Sequence, residues 1–310
     1  MRIIFMGTPD FSVGIMEAMA ERGHEIVLAV TQPDKPKGRG GKVSCSPVKE
    51  AALRRSIPVF QPKKIRDPEN IATLREHRPD MIVVAAFGQI LPEEILSMAP
   101  YGCINVHASL LPKYRGASPI QWAVLDGEKE SGVTIMRMDA GVDTGDIVAQ
   151  KAIPLDAEET AGSLFDKLSV LGASLLCDTI ELIESGAAVY TPQNHAKATH
   201  TGKIEKSTGK MDWTLPAETL ERRIRGLSPW PGAYTMVNNK TLKIWKATVC
   251  QNASGAQKAA PGSVLDTKEA LVVQTGDGAL ALTEVQLEGK KRMDAAAFLR
   301  GYPLPQGTVL

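Results

Sequence analysis

An asparagine and a histidine share one short apolar stretch, Cys103-Ile104-Asn105-Val106-His107. The stretch predicts a strand over 103–106, and side chains two positions apart in a strand point to the same face. An amide and an imidazole side by side at a strand end can polarise a carbonyl group and move a proton near neutral pH. A turn with an ordinary loop histidine is the alternative that this pattern alone leaves open.

Three carboxylates, Asp139, Asp143 and Asp146, follow the next predicted strand, 132–138. Asp and Gly are turn residues, so a solvated turn is the plain interpretation. If this loop lies beside the first, one carboxylate can orient or charge His107. Amide, imidazole and carboxylate then form a constellation for acyl transfer that contains no nucleophile of its own.

The two loops together resemble the folate-dependent formyltransferases. Residues 105–119 match N-x-H-x-S-L-L-P-x-x-R-G-x-x-P, and residues 139–145 match D-x-G-x-D-T-G. The likeness covers nearly all 310 residues and is greatest for the bacterial members that act on methionyl-tRNA. It is also carried by the segments Gly7-Thr8-Pro9-Asp10-Phe11, Thr31-Gln32-Pro33-Asp34 and Ser228-Pro229-Trp230-Pro231-Gly232.

This resemblance implies transfer of the formyl group of 10-formyltetrahydrofolate to the α-amine of initiator methionyl-tRNA, with no metal. It implies Asn105, His107 and Asp143 as catalytic residues, with Asp139 and Asp146 as weaker candidates for the carboxylate. The residues that it implies for binding the folate are Phe87, Gly88, Ile90, Leu91, Ser109, Leu110, Leu111, Pro112 and Asp139. By residue type alone, Ile90 and Leu91 fit an ordinary core equally well.

A basic segment rich in glycine and proline, 32–47, predicts a long loop without helix or strand. The resemblance implies that it contacts the acceptor end of the tRNA through Arg39 and Lys42. Residues 1–190 hold 20 lysines and arginines against 25 acids, whereas residues 191–310 hold 16 against 10. The basic second half favours a polyanionic partner, and we expect Lys203 and Lys206 to contact tRNA.

The chain opens with a strand, a helix and a second strand, which predicts a parallel, doubly wound α/β sheet. A Gly-x-Gly-x-x-Gly turn is missing from this start, so nicotinamide binding is not favoured. Short strands broken by turns follow residue 230 and predict a small barrel. The fold expected is therefore a Rossmann-like, mostly parallel sheet followed by a smaller OB-like β-barrel domain. We expect a catalytic domain over 1–189, a linker over 190–207 and a tRNA-binding domain over 208–310.

Further expectations concern single elements. Helices are predicted over 160–171 and 173–184, and Arg115 is predicted to be an exposed loop residue. His195 and His200 are read as surface residues, because their spacing does not suit neighbouring ligands on a helix.

The composition is that of an ordinary globular protein, with 43 % hydrophobic and 23 % charged residues. No apolar run reaches the ~18 residues of a membrane span, so no membrane partner is expected. The four cysteines lack zinc-binding spacing. They are also scattered along the chain, which argues against a disulfide framework and fits a reducing cytoplasm. A monomer is expected.

Two other functions remain open at this stage. A related folate-dependent formyltransferase that acts on a small amine would share the same core, but the basic loop and barrel speak against it. A non-catalytic RNA-binding protein on this scaffold is disfavoured by the intact Asn, His and Asp set.

Overall fold

The computed structural model describes residues 1–37, 42–250 and 259–310. The chain divides into two compact units. The first is formed by Met1–Pro119, Glu130–Pro154 and Phe165–Thr201, and the second by Ile120–Lys129, Leu155–Leu164 and Gly202–Leu310.

The strands and helices follow one another in the order expected of an α/β start and a β-rich end. The strands are β1 Arg2–Gly7, β2 Glu25–Val30, β3 Lys35–Lys37, β4 Lys42–Ser44, β5 Val59–Phe60, β6 Met81–Ala85, β7 Cys103–His107, β8 Arg115–Gly116, β9 Glu130–Arg137, β10 Ile147–Pro154, β11 His200–Thr201, β12 Ala233–Val237, β13 Lys240–Cys250, β14 Val264–Asp266, β15 Leu271–Gln274, β16 Ala279–Leu287 and β17 Met293–Asp294. The helices are α1 Asp10–Glu21, α2 Pro47–Arg54, α3 Pro68–Glu76, α4 Glu93–Leu96, α5 Pro119–Leu125, α6 Ala161–Glu184, α7 Ala217–Gly226 and α8 Ala295–Gly301.

The first unit is built on a seven-stranded sheet in the order β10-β9-β7-β6-β1-β2-β5. Five neighbouring strands of this sheet, β5, β2, β1, β6 and β7, are parallel. Strand β9 runs antiparallel to β7, and β10 runs antiparallel to β9. Strands β6 and β7 are buried along their whole length, and β6 is the continuous apolar run expected of a strand in a sheet covered on both faces. The predicted mostly parallel, doubly wound sheet is confirmed.

Helix α6 corrects the prediction of two separate helices. It runs unbroken for 24 residues and carries Gly172 in its middle. A Cβ at this position would lie 3.1 Å from Val106 Cγ1 and 3.6 Å from Val133 Cγ1. The glycine therefore allows the helix to pack closely on β7 and β9, and it is not a helix end.

The sequence predicted a loop without strands over the basic segment 32–47, and the structure corrects this prediction. Strands β3 and β4 pair in an antiparallel two-stranded sheet, with Lys35 opposite Ser44 and Lys37 opposite Lys42. A proline is tolerated here because a two-stranded ribbon leaves one edge of each strand unpaired.

The second unit holds an antiparallel sheet in the order β12-β13-β16-β15-β14, with β17 paired to β16. Asn238 and Asn239 join β12 to β13 with φ values of +46° and +60°, which is the backbone of a tight hairpin turn. Helices α7 and α8 pack apolar side chains, among them Leu220 and Phe298, into the core of this sheet. The smaller β domain of the predicted fold class is confirmed.

Within the described ranges, no helix combines the length and the apolar character that crossing a membrane would require. The four cysteines, all within those ranges, carry free thiols.

Candidate active site

Strand β7 places Asn105 and His107 at the carboxyl end of the seven-stranded sheet. Asn105 lies opposite Val84 of β6, and His107 lies opposite Thr134 of β9. Both side chains are buried, with 8 % and 6 % of the residue surface exposed. Ligands bind at this end of the strands in open α/β sheets.

The loop between β9 and β10 brings a carboxylate to this pair. Asp143 Oδ2 lies 3.7 Å from His107 Nδ1, and Asn105 Nδ2 donates to Asp143 Oδ1 over 3.5 Å. The Gly116 N–H donates to Asp143 Oδ2 at 2.8 Å and so orients the carboxylate. The structure therefore brings together the three side chains that the sequence predicts to be catalytic.

The imidazole of His107 is held by its other nitrogen. Nε2 lies 2.9 Å from the carbonyl oxygen of Tyr114. A carbonyl oxygen can only accept a hydrogen bond, so Nε2 carries a proton. The other ring nitrogen, Nδ1, is the atom that faces Asp143.

The neighbouring acids are not placed in the same way. Asp139 Oδ1 accepts hydrogen bonds from the Gly141 N–H at 3.0 Å and from Thr144 Oγ1 at 2.6 Å, so this carboxylate turns back on its own loop. The backbone of Asp146 joins β9, since its carbonyl oxygen accepts from the Arg137 N–H at 2.9 Å. Of the three acids, Asp143 is the one that the structure sets against His107.

Backbone strain is concentrated around this carboxylate. Tyr114, Ser118 and Asp143 have φ values of +60°, +61° and +53°, in the left-handed region that side chains disfavour. Gly116 has φ +97°, and a Cβ there would lie 2.7 Å from the carbonyl oxygen of Thr201. Such conformations persist where the surrounding structure holds them, and they cluster at active sites.

The loop 109–112, predicted to bind folate, is fixed by a fully buried threonine of β9. Thr134 Oγ1 donates to the Ser109 carbonyl at 2.6 Å and accepts from the Leu111 N–H at 3.1 Å. The Ser109 hydroxyl donates to the Lys113 carbonyl at 2.7 Å, so its oxygen is engaged within the loop. The backbone of the loop is therefore held at both ends.

Leu110 and Pro112 complete this loop. A Cβ on Gly132 would lie 2.5 Å from Leu110 Cδ2, so the glycine of β9 makes room for the leucine. The Leu111–Pro112 peptide bond is cis. The Pro112 carbonyl accepts from the Thr199 N–H at 3.2 Å, which ties the loop to the segment before β11.

The second predicted folate segment, 87–92, leaves the sheet from β6, the neighbour of β7. Phe87 and Leu91 are core residues, with 2 % and 5 % exposure. Ile90 is 81 % exposed and is not a core residue. Gly88 is exposed with φ +84°, so the backbone is bare at this turn.

Two motif segments support this turn. Gln32 Nε2 and Thr8 Oγ1 both donate to the Phe87 carbonyl, at 3.1 and 3.3 Å. The Gln32 N–H in turn donates to Thr8 Oγ1 at 3.3 Å. Residues of these two motif segments therefore meet Phe87 at the carboxyl ends of β1, β2 and β6.

Arg115 corrects the expectation of an exposed loop arginine, because only 3 % of it is exposed. Its Nη2 and Nε donate to Gln193 Oε1 at 2.7 and 3.1 Å, and Nη2 also lies 3.1 Å from His195 Nδ1. The polar segment after α6 supplies these acceptors from 78 residues away. His195 and His200 are exposed, as predicted.

Sequence reasoning missed Gln193 altogether. It is a polar residue in an aperiodic stretch, and no spacing connects it to Asp143. The signal available for Arg115 was its place in the N-x-H…R-G motif, which does not tell whether the side chain points inward.

The predicted RNA-binding cations are placed only in part. Arg39 lies outside the described residues, and so does the side chain of Lys42, whose backbone begins β4. Lys203 and Lys206 are exposed on the segment that follows β11.

Cys103 shares β7 with the proposed catalytic pair but is not suited to act as a nucleophile. Burial raises the pKa of its thiol, which keeps the sulfur protonated. The thiol lies 3.5 Å from Met138 Sδ. Among the described residues, no group of three or more His, Cys, Asp or Glu side chains could hold a metal ion.

Comparison with known proteins gives the family. The sequence profile of the formyl transferase family matches residues 1–180, and that of the formyl transferase C-terminal domain matches residues 203–303. The chain belongs to the formyl transferase family. Methionyl-tRNA formyltransferase of Agathobacter rectalis is 59 % identical over 309 residues, which cover 99 % of each chain. The protein of the same name from Caldanaerobacter subterraneus is 48 % identical over the full length of both chains.

Two solved structures share the fold. An N-formyltransferase from Helicobacter canadensis, in complex with folinic acid and dTDP-3-aminofucose, has a TM-score of 0.66 at 20 % identity. The match covers 91 % of this chain and 99 % of that one. HypX from Aquifex aeolicus, in complex with tetrahydrofolic acid, has a TM-score of 0.64 at 21 % identity and covers 96 % of this chain and 47 % of its own.

Proposed function

We propose that this formyl transferase moves the formyl group of 10-formyltetrahydrofolate to the α-amine of initiator methionyl-tRNA. The observation that carries the proposal is the meeting of Asn105, His107 and Asp143 at the carboxyl end of the sheet. The names of full-length relatives at 48 and 59 % identity support the choice of acceptor. The product, N-formylmethionyl-tRNA, serves translation initiation.

The folate is proposed to bind beside this cluster, between segment 87–92 and loop 109–112. The exposed, left-handed turn at Gly88 offers bare backbone N–H and C=O groups, which suit the polar edge of a pterin. Buried apolar side chains of Phe87 and Leu91 lie under this turn. The residues present therefore fit a flat ring with a polar rim.

The bound donor supplies a formyl carbon attached to N10, and the acceptor supplies its own amine as the nucleophile. Asn105 Nδ2 is proposed to donate to the formyl oxygen as negative charge develops there, together with protonated His107 Nδ1. Removal of a donor of this kind typically raises a reaction barrier by roughly 3 kcal/mol. Ser109 and Cys103 have no nucleophilic role in this scheme.

Asp143 is proposed to stabilise the positive charge of the His107 ring from 3.7 Å. With its carboxylate oriented by the Gly116 N–H, it also assists the passage of the proton from the amine towards N10. The scheme requires no metal ion.

Contacts with the tRNA are proposed for Arg39 and Lys42 near the acceptor end and for Lys203 and Lys206. Cations of this kind hold phosphates without reading the sequence. Since the acceptor is an aminoacylated tRNA, we place the enzyme in the cytoplasm. A monomer stays a prediction.

The test uses the full-length protein with labelled 10-formyltetrahydrofolate and three acceptors: initiator methionyl-tRNA, uncharged tRNA and an amino sugar nucleotide. We expect label in methionyl-tRNA alone, and a loss of turnover of about 10²–10³ in His107→Ala. Transfer to the sugar instead would favour the small-amine alternative. RNA binding with steep salt dependence but no formyl transfer would favour a non-catalytic protein.

A further inference from the structure

Gln193 uses all its hydrogen-bonding groups around the loop that carries Asp143. Its Nε2 donates to the Asp143 carbonyl at 2.9 Å and to the Gly145 carbonyl at 2.7 Å. Its Oε1 accepts from the buried guanidinium of Arg115. The side chain itself is buried, with 5 % exposure.

These contacts close a ring with the carboxylate of Asp143. Starting from its Oδ2, the ring passes to the Gly116 N–H, along the chain to Arg115 and through the guanidinium to Gln193. It returns through Gln193 Nε2 to the carbonyl of Asp143 itself. Both the backbone and the side chain of Asp143 are thus held by one connected network.

The loop needs such a restraint because its backbone is strained. Asp143 has φ +53°, and conformations of this kind persist only where neighbouring groups hold them. Gly145 lies so close to β9 that a Cβ would meet the Arg137 carbonyl at 1.8 Å. This loop packs against the sheet at Gly145 and has a left-handed backbone at Asp143. We expect its backbone to shift to a less strained conformation without the two hydrogen bonds from Gln193.

We propose that Gln193, with Arg115 behind it, is a positioning residue that sets the Asp143 carboxylate against His107. The inference rests on the proposed function. A purely structural role, in which Gln193 only anchors the segment after α6, makes a different prediction for an isosteric change.

The decisive substitution is Gln193→Glu. It keeps the oxygen that accepts from Arg115 and adds a charge complementary to the guanidinium, so the anchor is preserved. It removes both donors and sets a carboxylate oxygen against the carbonyls of Asp143 and Gly145. If Gln193 is only an anchor, this variant retains full activity.

We expect Gln193→Glu to lower kcat by about 10- to 100-fold, because displacements near 1 Å carry losses of this size. The KM values for the folate donor and for methionyl-tRNA should not change, since neither substrate is proposed to touch Gln193. Gln193→Met, which lacks both the donors and the oxygen that accepts from Arg115, is measured in parallel and should show at least the same loss. Full kcat in this variant overturns the positioning role even should Gln193→Glu not fold.

Gln274→Glu is the matched control. Gln274 Nε2 also donates to two backbone carbonyls, those of Thr275 and Gly278, both at 3.0 Å, but in the antiparallel sheet of the second unit. We expect wild-type kcat from this variant. It therefore measures what the loss of two such bonds does to the chain in general.

The outcomes separate the inference from the proposed function. A wild-type protein without formyl transfer overturns the proposed function. An active wild type with full kcat in folded Gln193→Glu or Gln193→Met overturns the positioning role alone. A raised KM with unchanged kcat overturns it as well, because that result would assign Gln193 to substrate binding.

Discussion

Asp143→Asn tests the charge at the centre of the proposed active site. Asparagine has nearly the same size and keeps an oxygen for the Gly116 N–H, so the loop should stay in place. The substitution removes the negative charge 3.7 Å from His107 Nδ1 and, with it, the oxygen that accepts from Asn105 Nδ2 over 3.5 Å. The Asp143 side chain is 15 % exposed and that of His107 is 7 % exposed, so solvent screens this interaction only in part.

The magnitude follows from that distance. Two unit charges this far apart interact by about 4–5 kcal/mol at an effective dielectric constant of ~20. At ~1.4 kcal/mol per factor of ten, this is an upper limit of about three decades in rate. Desolvation of the pair offsets part of the attraction. We therefore expect kcat to fall by about 10²–10³.

The assay measures transfer of labelled formyl to initiator methionyl-tRNA at saturating donor, together with thermal unfolding of each variant. Asp294→Asn is the matched control. It removes a charge from an Asp that caps α8 through the Ala296 N–H at 2.8 Å, and asparagine caps equally well. Wild-type turnover in Asp143→Asn would refute the argument that this charge supports His107.

Three other changes have definite expected outcomes. Gly116→Ala should lower both Tm and kcat, because φ is +97° and its Cβ would lie 2.7 Å from a backbone oxygen of β11; thermal unfolding and the formyl assay measure this. Thr134→Val leaves two buried backbone groups of loop 109–112 without the hydrogen bonds from Thr134 Oγ1. Urea unfolding should therefore show a decrease of about 1–3 kcal/mol in the free energy of unfolding. The Lys49 ammonium, and then Gln61, hold the pKa of Asp34 below its usual range. This stabilisation is present above the unfolded pKa of about 4 and is lost as pH falls through the lower folded value. The Tm deficit of Asp34→Asn should therefore be greatest near neutral pH and shrink in acid.

Local patterns were sufficient for the seven strands of the first unit's main sheet but did not predict β3 and β4. The apolar run before Asn105 and the alternation of side chains placed the amide and the imidazole together. Glycine and proline were the less dependable signals. Gly172 lies inside α6 because a small residue is needed against Val106, and a proline in β3 did not prevent its pairing with β4.

The spacing of the residues could not choose among Asp139, Asp143 and Asp146, since all three suit a turn, whereas the family motif favoured Asp143. The tertiary structure decided for Asp143, because the Gly116 N–H and Asn105 reach its carboxylate while Asp139 is engaged by its own loop. Likewise, nothing local marks Gln193 as a partner of that loop.

What the sequence by itself determined is the type of fold, the family likeness and the amide–imidazole pair, all of which depend on neighbours along the chain. What only the tertiary structure decided is how the Asp143 carboxylate is held against His107 and that Arg115 is buried against Gln193. The physical reason is that a buried charge or a strained turn depends on groups brought from far along the chain. Those groups leave no periodicity in the sequence.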